Sequence, residues 1–137
     1  MALTHLLDTD ICIHAMKSRD LVLSRRLDDL RGRCAVSDVS LYELYSGAER
    51  YDIPAKCIAI IDAFIARLIV LPFDTAAARI AAPLRFRLES KGRKIGGFDM
   101  LIAATALAHK LTLITNNARE FKRVPNLNVE PLAWHAA

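Results

Sequence analysis

The stretch HLLDTDICIH, residues 5–14, decides how this chain is read. Leu6 and Leu7 lead in, Ile11 and Ile13 follow, and between them stand Asp8 and Asp10, one residue apart. An ionised carboxylate is costly to bury unless something pairs with it. Two explanations are open: the acids cap a helix, or they hold a cation. Capping serves Asp10 well, because Asp is a favoured N-cap residue. It serves Asp8 poorly, because Asp8 ends an apolar strand before any helix begins.

Outward from this stretch the chain alternates. Residues 4–8 read as a strand, followed by helix over 10–17 and 21–30. CAVS, 34–37, is a short apolar strand, and SLYELYSGAE, 40–49, is a helix with Ser40 as its cap. Pro54 suits the first turn of a helix running to residue 68. IVLPF, 69–73, is a third strand, and Asp74 and Thr75 open an Ala-rich helix reaching residue 90. KGRKIGG, 91–97, is a loop. DMLIAATALAHK, 99–110, is apolar nearly all round, which predicts a buried helix. LTLIT, 111–115, is a buried strand; a short helix over 118–122 and a strand over 127–130 follow. Such alternation predicts an α/β fold: a three-layer α/β/α sandwich on a mostly parallel sheet. In such sheets ligands bind outside the carboxyl ends of the strands.

Composition bounds the rest. The 137 residues suit a single domain spanning 1–137, and 53% are apolar, enough for a sizeable core. No apolar run approaches the ~18 residues that would cross a bilayer, and MALTHLLD lacks the pattern of a secretory signal. Cys12, Cys34 and Cys57 are odd in number with no CxxC spacing, which reads as reduced thiols in a cytoplasmic protein. A net charge of +4 weakly favours a polyanionic partner.

Acids recur near the expected ligand edge. Asp8 and Asp10 follow the first strand, Glu43 lies early in the helix after the second, Asp99 opens the buried helix, and Glu120 follows LTLIT. Each has a bland role. Ser40-x-x-Glu43 matches a capping box, Asp99 complements a helix dipole, and Asn117-x-x-Glu120 resembles a cap. Together they say more. Two carboxylates ~5 Å apart repel by roughly 3 kcal/mol at an effective dielectric near 20. A cluster of them must protonate, splay or bind a divalent cation. Oxygen ligands with no competing Cys–His set suit Mg²⁺ or Mn²⁺, and such ions drive phosphodiester hydrolysis through an activated water.

LLDTDICI, VSLYELYSGAER, GGFDMLIAATALAHKLTLITNNAREF and VPNLNVEPLAW, in this order and spacing, resemble the PIN-domain ribonucleases and, among them, the VapC toxins of type II toxin–antitoxin pairs. The resemblance covers nearly the whole chain. It implies a Mg²⁺- or Mn²⁺-dependent endoribonuclease that cuts structured RNA, with the anticodon region of tRNA as the leading substrate. By position, Asp8, Glu43 and Asp99 correspond to the metal-coordinating acids. Many PIN domains carry a fourth acid where this chain has Asn117; here acid returns at Glu120, an outer or second-metal ligand with Asn117 as polar helper. Asp10 stands where the family usually shows Asn and supports Asp8, while Thr9 and Thr115 offer hydroxyls to the site. The resemblance also implies a homodimer. It implies a VapB-like antitoxin in a groove near the first helices, and a higher hetero-oligomer with it.

RFRLESKGRK, 85–94, lies just upstream of Asp99, and Arg93 and Lys94 are the expected RNA contacts. His14 and His109 read as ordinary histidines, Phe73 and Phe121 as core, and Trp134 as packing the tail. Two rivals stand beside the nuclease. One is a haloacid-dehalogenase-like phosphohydrolase with Asp8 as nucleophile, for which TNNARE fits poorly. The other is a non-catalytic PIN-like binding module.

Overall fold

The computed structural model describes residues 2–17 and 20–132. Five strands form one sheet: β1 (His5–Leu7), β2 (Cys34–Ser37), β3 (Ile69–Leu71), β4 (Thr112–Thr115) and β5 (Val129–Pro131). Their order is β3-β2-β1-β4-β5, and all four pairings are parallel. β1 is central: His5 aligns with Cys34 on one side and Thr112 on the other. The winding runs from β1 through β2 to β3, then crosses back to β4 and β5. The order therefore reverses between β1 and β4, and a parallel sheet opens a crevice beyond its carboxyl ends at such a reversal.

The helices are α1 (Thr9–Lys17), α2 (Leu21–Asp29), α3 (Asp38–Ala48), α4 (Pro54–Ile65), α5 (Thr75–Ser90), α6 (Gly97–Ala108) and α7 (Ala118–Phe121). Side chains alternate across a strand, and adjacent residues of β1 accordingly enter different cores. Leu6 packs with Ala35, Leu71 and Leu113 against Leu84 and Leu88 of α5 and Met100 and Ala103 of α6. Leu7 packs with Val36 and Ile114 against Ile11 of α1, Leu23 of α2, Leu44 of α3 and Ile61 of α4. The result is the expected three-layer sandwich. Ile102 through Ala106 of α6 are all buried, as an all-round apolar helix requires. An Arg26–Glu130 bidentate pair, at 2.7 and 2.6 Å, ties α2 to the edge strand β5, with His5 Nε2 3.3 Å from the same carboxylate.

Several boundaries differ from expectation. Ser40 is not the cap of α3; Ser37 is, its Oγ accepting the Ser40 N–H at 3.0 Å. The strand thus runs directly into the helix, and Ser40 is left free for tertiary contacts. Gly97 already belongs to α6, so the loop is shorter than 91–97. α4 ends at Ile65, β3 at Leu71, and the last strand begins at Val129. Pro54 opens α4 as expected, and Phe121 is fully buried. Trp134 lies outside the described residues. Cys12, Cys34 and Cys57 are free thiols; burial pushes Cys34 up to about 11. Among the described residues no helix is long and apolar enough to cross a membrane.

Candidate active site

Asp8 follows β1 directly, at the reversal of strand order, and is only 4% exposed. Its backbone N–H donates to Ile114 of β4 at 3.0 Å, and its carbonyl accepts from Ile11 and Cys12 as α1 begins. One backbone and one side-chain donor hold the two carboxylate oxygens. Oδ1 accepts the Thr9 N–H at 2.8 Å, and Oδ2 accepts the Thr115 hydroxyl at 2.7 Å. The entrance to α1 thus belongs to Asp8, and Asp10 lies inside the first turn rather than capping it.

Glu43 comes from the middle of α3, where Thr9 Oγ1 donates to its Oε1 at 2.7 Å. Behind that contact runs a row of hydroxyls. Ser37 Oγ donates to Ser40 Oγ at 3.3 Å, and Thr9 Oγ1 lies 2.9 Å from Ser40 Oγ. Ser37 and Ser40 are fully buried, so these bonds orient Glu43 from below. Sequence reading missed this pair because Ser40-x-x-Glu43 looks like a self-contained cap. The reciprocal bond of a capping box is replaced by Thr9, 34 residues away.

Asp99 lies in the first turn of α6, half-buried. Glu120 enters from α7 with both oxygens engaged: Oε1 accepts the Gly96 N–H at 2.8 Å and Oε2 the Asn117 side-chain amide at 2.6 Å. Asn117 is also fixed through its backbone N–H, which donates to Thr115 Oγ1 at 2.9 Å. Glu120 therefore ties the loop before α6 to the end of β4. A Cβ on Gly96 would stand 3.4 Å from Asp99 Oδ2 and 3.9 Å from Glu120 Oε1. That glycine keeps the space between the two acids open.

The acids sense one another. Burial, then Asp8, Glu120 and Glu43, push Asp99 up to about 7. Burial also raises Asp8, opposed by the Thr115 and Thr9 hydrogen bonds and reinforced by Glu120. Asp10 is pushed up to about 7 by burial and by Asp8, and its buried Oδ1 has no hydrogen-bond partner. Asp8, Glu43, Asp99 and Glu120 are thus brought to one crevice, with Asp10, Thr9, Thr115 and Asn117 around them. Among the described residues, no group of three or more acids, histidines or cysteines stands close enough to hold a metal ion as placed. The donor chemistry of the crevice acids fits a hard divalent cation. All are oxygens, they repel one another, and one buried carboxylate oxygen is unsatisfied.

Arg93 and Lys94 are exposed, just before the Gly96 whose N–H Glu120 accepts. Their backbone is pinned, with the Arg93 N–H on Leu88 O at 2.8 Å and Lys94 O accepting Arg123 Nη1 at 2.9 Å. Arg85 instead pairs with Glu89 at 2.8 Å, and His14 pairs with Asp20 at 3.2 Å. On the other flank, a groove of about 460 Å³ runs between α1, α3 and α4. Ile13, Met16, Tyr51, Ile53 and Ile60 line it, and it reaches Glu43.

Known proteins share this sequence and fold. The PIN domain family model matches residues 5–127. The chain is 39% identical to the tRNA(fMet)-specific endonuclease VapC of Shigella flexneri, over 93% of this chain and 97% of that protein. It is 38% identical, over the same shares, to ribonuclease VapC2 of Haemophilus influenzae. Among solved structures, the DNA-bound VapBC complex of Salmonella typhimurium superposes with a TM-score of 0.91 at 36% identity, covering 94% of this chain and 98% of that one. VapBC2 of Rickettsia felis, bound to a promoter DNA fragment, gives 0.89 at 34%, covering 96% and 99%. With family model, sequence identity and fold in agreement, the chain belongs to the PIN-domain family, as an endoribonuclease of the VapC type.

Proposed function

We propose that this chain is the toxin of a toxin–antitoxin pair and hydrolyses phosphodiester bonds of structured RNA at the crevice between β1 and β4. The observation that supports it most is the gathering of Asp8, Glu43, Asp99 and Glu120 at the strand-order reversal, where burial and then its acidic neighbours push Asp99 up to about 7. PIN-domain VapC nucleases generally use divalent metals. In this chain Asp8, Glu43 and Asp99 would hold Mg²⁺ or Mn²⁺, which when bound supplies an acidic water and offsets charge developing on the phosphate. Thr115 and Thr9 donate to the Asp8 and Glu43 carboxylates and hold them in place. Glu120, braced by Gly96 and Asn117, sets the loop before α6 and adds negative charge at the outer edge. Asp10 supports Asp8 from within α1. Arg93 and Lys94 would guide RNA phosphates past the acids.

The Shigella relative is named for its specificity for tRNA(fMet), so the anticodon region of initiator tRNA is the first substrate to try. The structures of VapBC complexes support a VapB-like antitoxin for this chain. Its apolar segment would lie in the α1–α3–α4 groove, and an Arg would satisfy the acids directly. A homodimer, joined into a larger hetero-oligomer with the antitoxin, is the assembly proposed, acting in the cytoplasm as a single domain. The deciding experiment uses the purified chain free of antitoxin. With Mg²⁺ or Mn²⁺ it cleaves tRNA at few sites, excess EDTA abolishes cleavage, and added metal restores it. Full cleavage in EDTA refutes the metal site. Trapping of an aspartyl-phosphate on Asp8 would favour the phosphohydrolase instead.

A further inference from the structure

Two aromatic side chains flank the acids without serving either core. Tyr42 precedes Glu43 on α3, and Phe98 precedes Asp99 on α6. Their ring centroids are 5.4 Å apart with the planes inclined by 56°. Tyr42 is 58% exposed and Phe98 47%. Neither belongs to the two buried clusters. The pair therefore bridges the helices that deliver two of the acids while leaving about half of each residue to solvent.

Resting on the ribonuclease reading, we propose that Tyr42 and Phe98 form a stacking platform for an unpaired nucleobase of the RNA substrate, beside the scissile phosphate. The occupant follows from what surrounds the rings. A protein that reads single-stranded RNA combines a basic track for the backbone with aromatic faces for the bases. Arg93 and Lys94 lie within six residues of Phe98 and are exposed. The carboxylates next to the rings repel phosphate, so a strand entering with its phosphates toward the basic loop must turn bases elsewhere. An uncharged, polarisable ring face is the surface beside the acids that accepts a base without a charge penalty. The tilt leaves the rings unable to share one large planar ligand, and the platform suits one or two splayed bases rather than a duplex. Splayed bases occur in loops, which gives a physical reason for cutting structured RNA at few places.

The test is a cycle between protein and RNA. All proteins carry Asp8→Asn to stop cleavage, and binding is measured with a tRNA anticodon stem-loop, either intact or abasic at one loop position after another. Without Phe98→Ala, one or two abasic positions weaken binding by about fivefold or more, the range of a lost base–aromatic stack. With Phe98→Ala or Tyr42→Ala, intact RNA binds correspondingly more weakly and the abasic penalty disappears. Phe98→Tyr retains it. A 2-aminopurine at the sensitive position is quenched on binding only when both rings are present. Equal binding of intact and abasic RNA at every position overturns the proposal, as does a penalty that survives both alanine variants. So does conversion of a dimer to monomers by Phe98→Ala with the abasic penalty intact, which would make the pair a subunit contact. The ribonuclease reading fails separately, if the chain with Asp8 restored cleaves no RNA in Mg²⁺ or Mn²⁺.

Discussion

Thr115 donates its hydroxyl hydrogen to Asp8 Oδ2 at 2.7 Å, joining the ends of the two strands between which the sheet order reverses. The same hydroxyl oxygen accepts the Asn117 N–H at 2.9 Å, and Thr115 is fully buried. Thr115→Val keeps the shape and removes both bonds. A buried group left unsatisfied costs about 1–3 kcal/mol. Denaturant unfolding of Thr115→Val therefore shows a loss in that range, and Thr115→Ser recovers most of it. A neutral valine variant would mean that the contact does not constrain the crevice.

Asp8→Asn and Asp99→Asn keep the size of the side chain and remove its charge. RNA cleavage in Mg²⁺ falls by roughly 10²-fold or more in each, the scale seen when a group facing developing charge is lost. Thermal melts show both variants folded. Two variants that cleave like the parent would place the chemistry elsewhere.

The same acids make metal-free stability depend on pH. Asp99 and Asp10, ordinarily near 3.8, are both pushed up to about 7 in the fold. Between those values the folded chain binds more protons than the unfolded one, so stability falls as pH rises through that window. In EDTA, melts from pH 5 to pH 8 show a declining Tm, by roughly 3–5 °C for each 1 kcal/mol lost. Asp99→Asn flattens the decline, and Mg²⁺ offsets it by binding the ionised form. A Tm in EDTA that rises over this interval would contradict the repulsion inferred for the site.

Gly96 sits at φ −58°, ψ 149°, a conformation any residue adopts. Gly96→Ala is accordingly neutral to stabilising, by up to about 1 kcal/mol. Its methyl would stand 3.4 Å from Asp99 Oδ2, inside the mouth of the crevice. Cleavage falls about tenfold or more, because small displacements at a reacting centre are costly. Stability and activity thus move in opposite directions, which paired melts and cleavage assays reveal.

Arg93→Ala combined with Lys94→Ala weakens RNA binding and flattens its salt dependence. Removing two phosphate contacts from a single strand changes the slope of log K against log salt by about 1.4. An unchanged slope removes this loop from the RNA track.

Much of this was legible in the sequence, for identifiable reasons. The apolar run of Leu6 and Leu7, the apolar circumference of α6 and Pro54 at the start of α4 are local signals, and each announces its element. Asp8 drew notice because an apolar strand runs straight into it, although it also has the local use of opening α1. What escaped was tertiary. Ser40 reads as the cap, yet Ser37 takes that place and Ser40 instead meets Thr9 from α1. Asn117-x-x-Glu120 suggests a cap, but the glutamate reaches back to Gly96 through 24 residues of sequence separation. Tyr42 and Phe98 are 56 positions apart by number, and nothing short of the packing of α3 near α6 pairs them.

The parallel winding also bears on synthesis. β1 is made first, yet one of its two neighbours, β4, is complete only at Thr115, and the glutamate that braces the crevice is residue 120. Until β4 has been made, Asp8 has no partner strand on that side. The crevice can therefore close only after residue 120 has been made, long after the strand that carries its first acid.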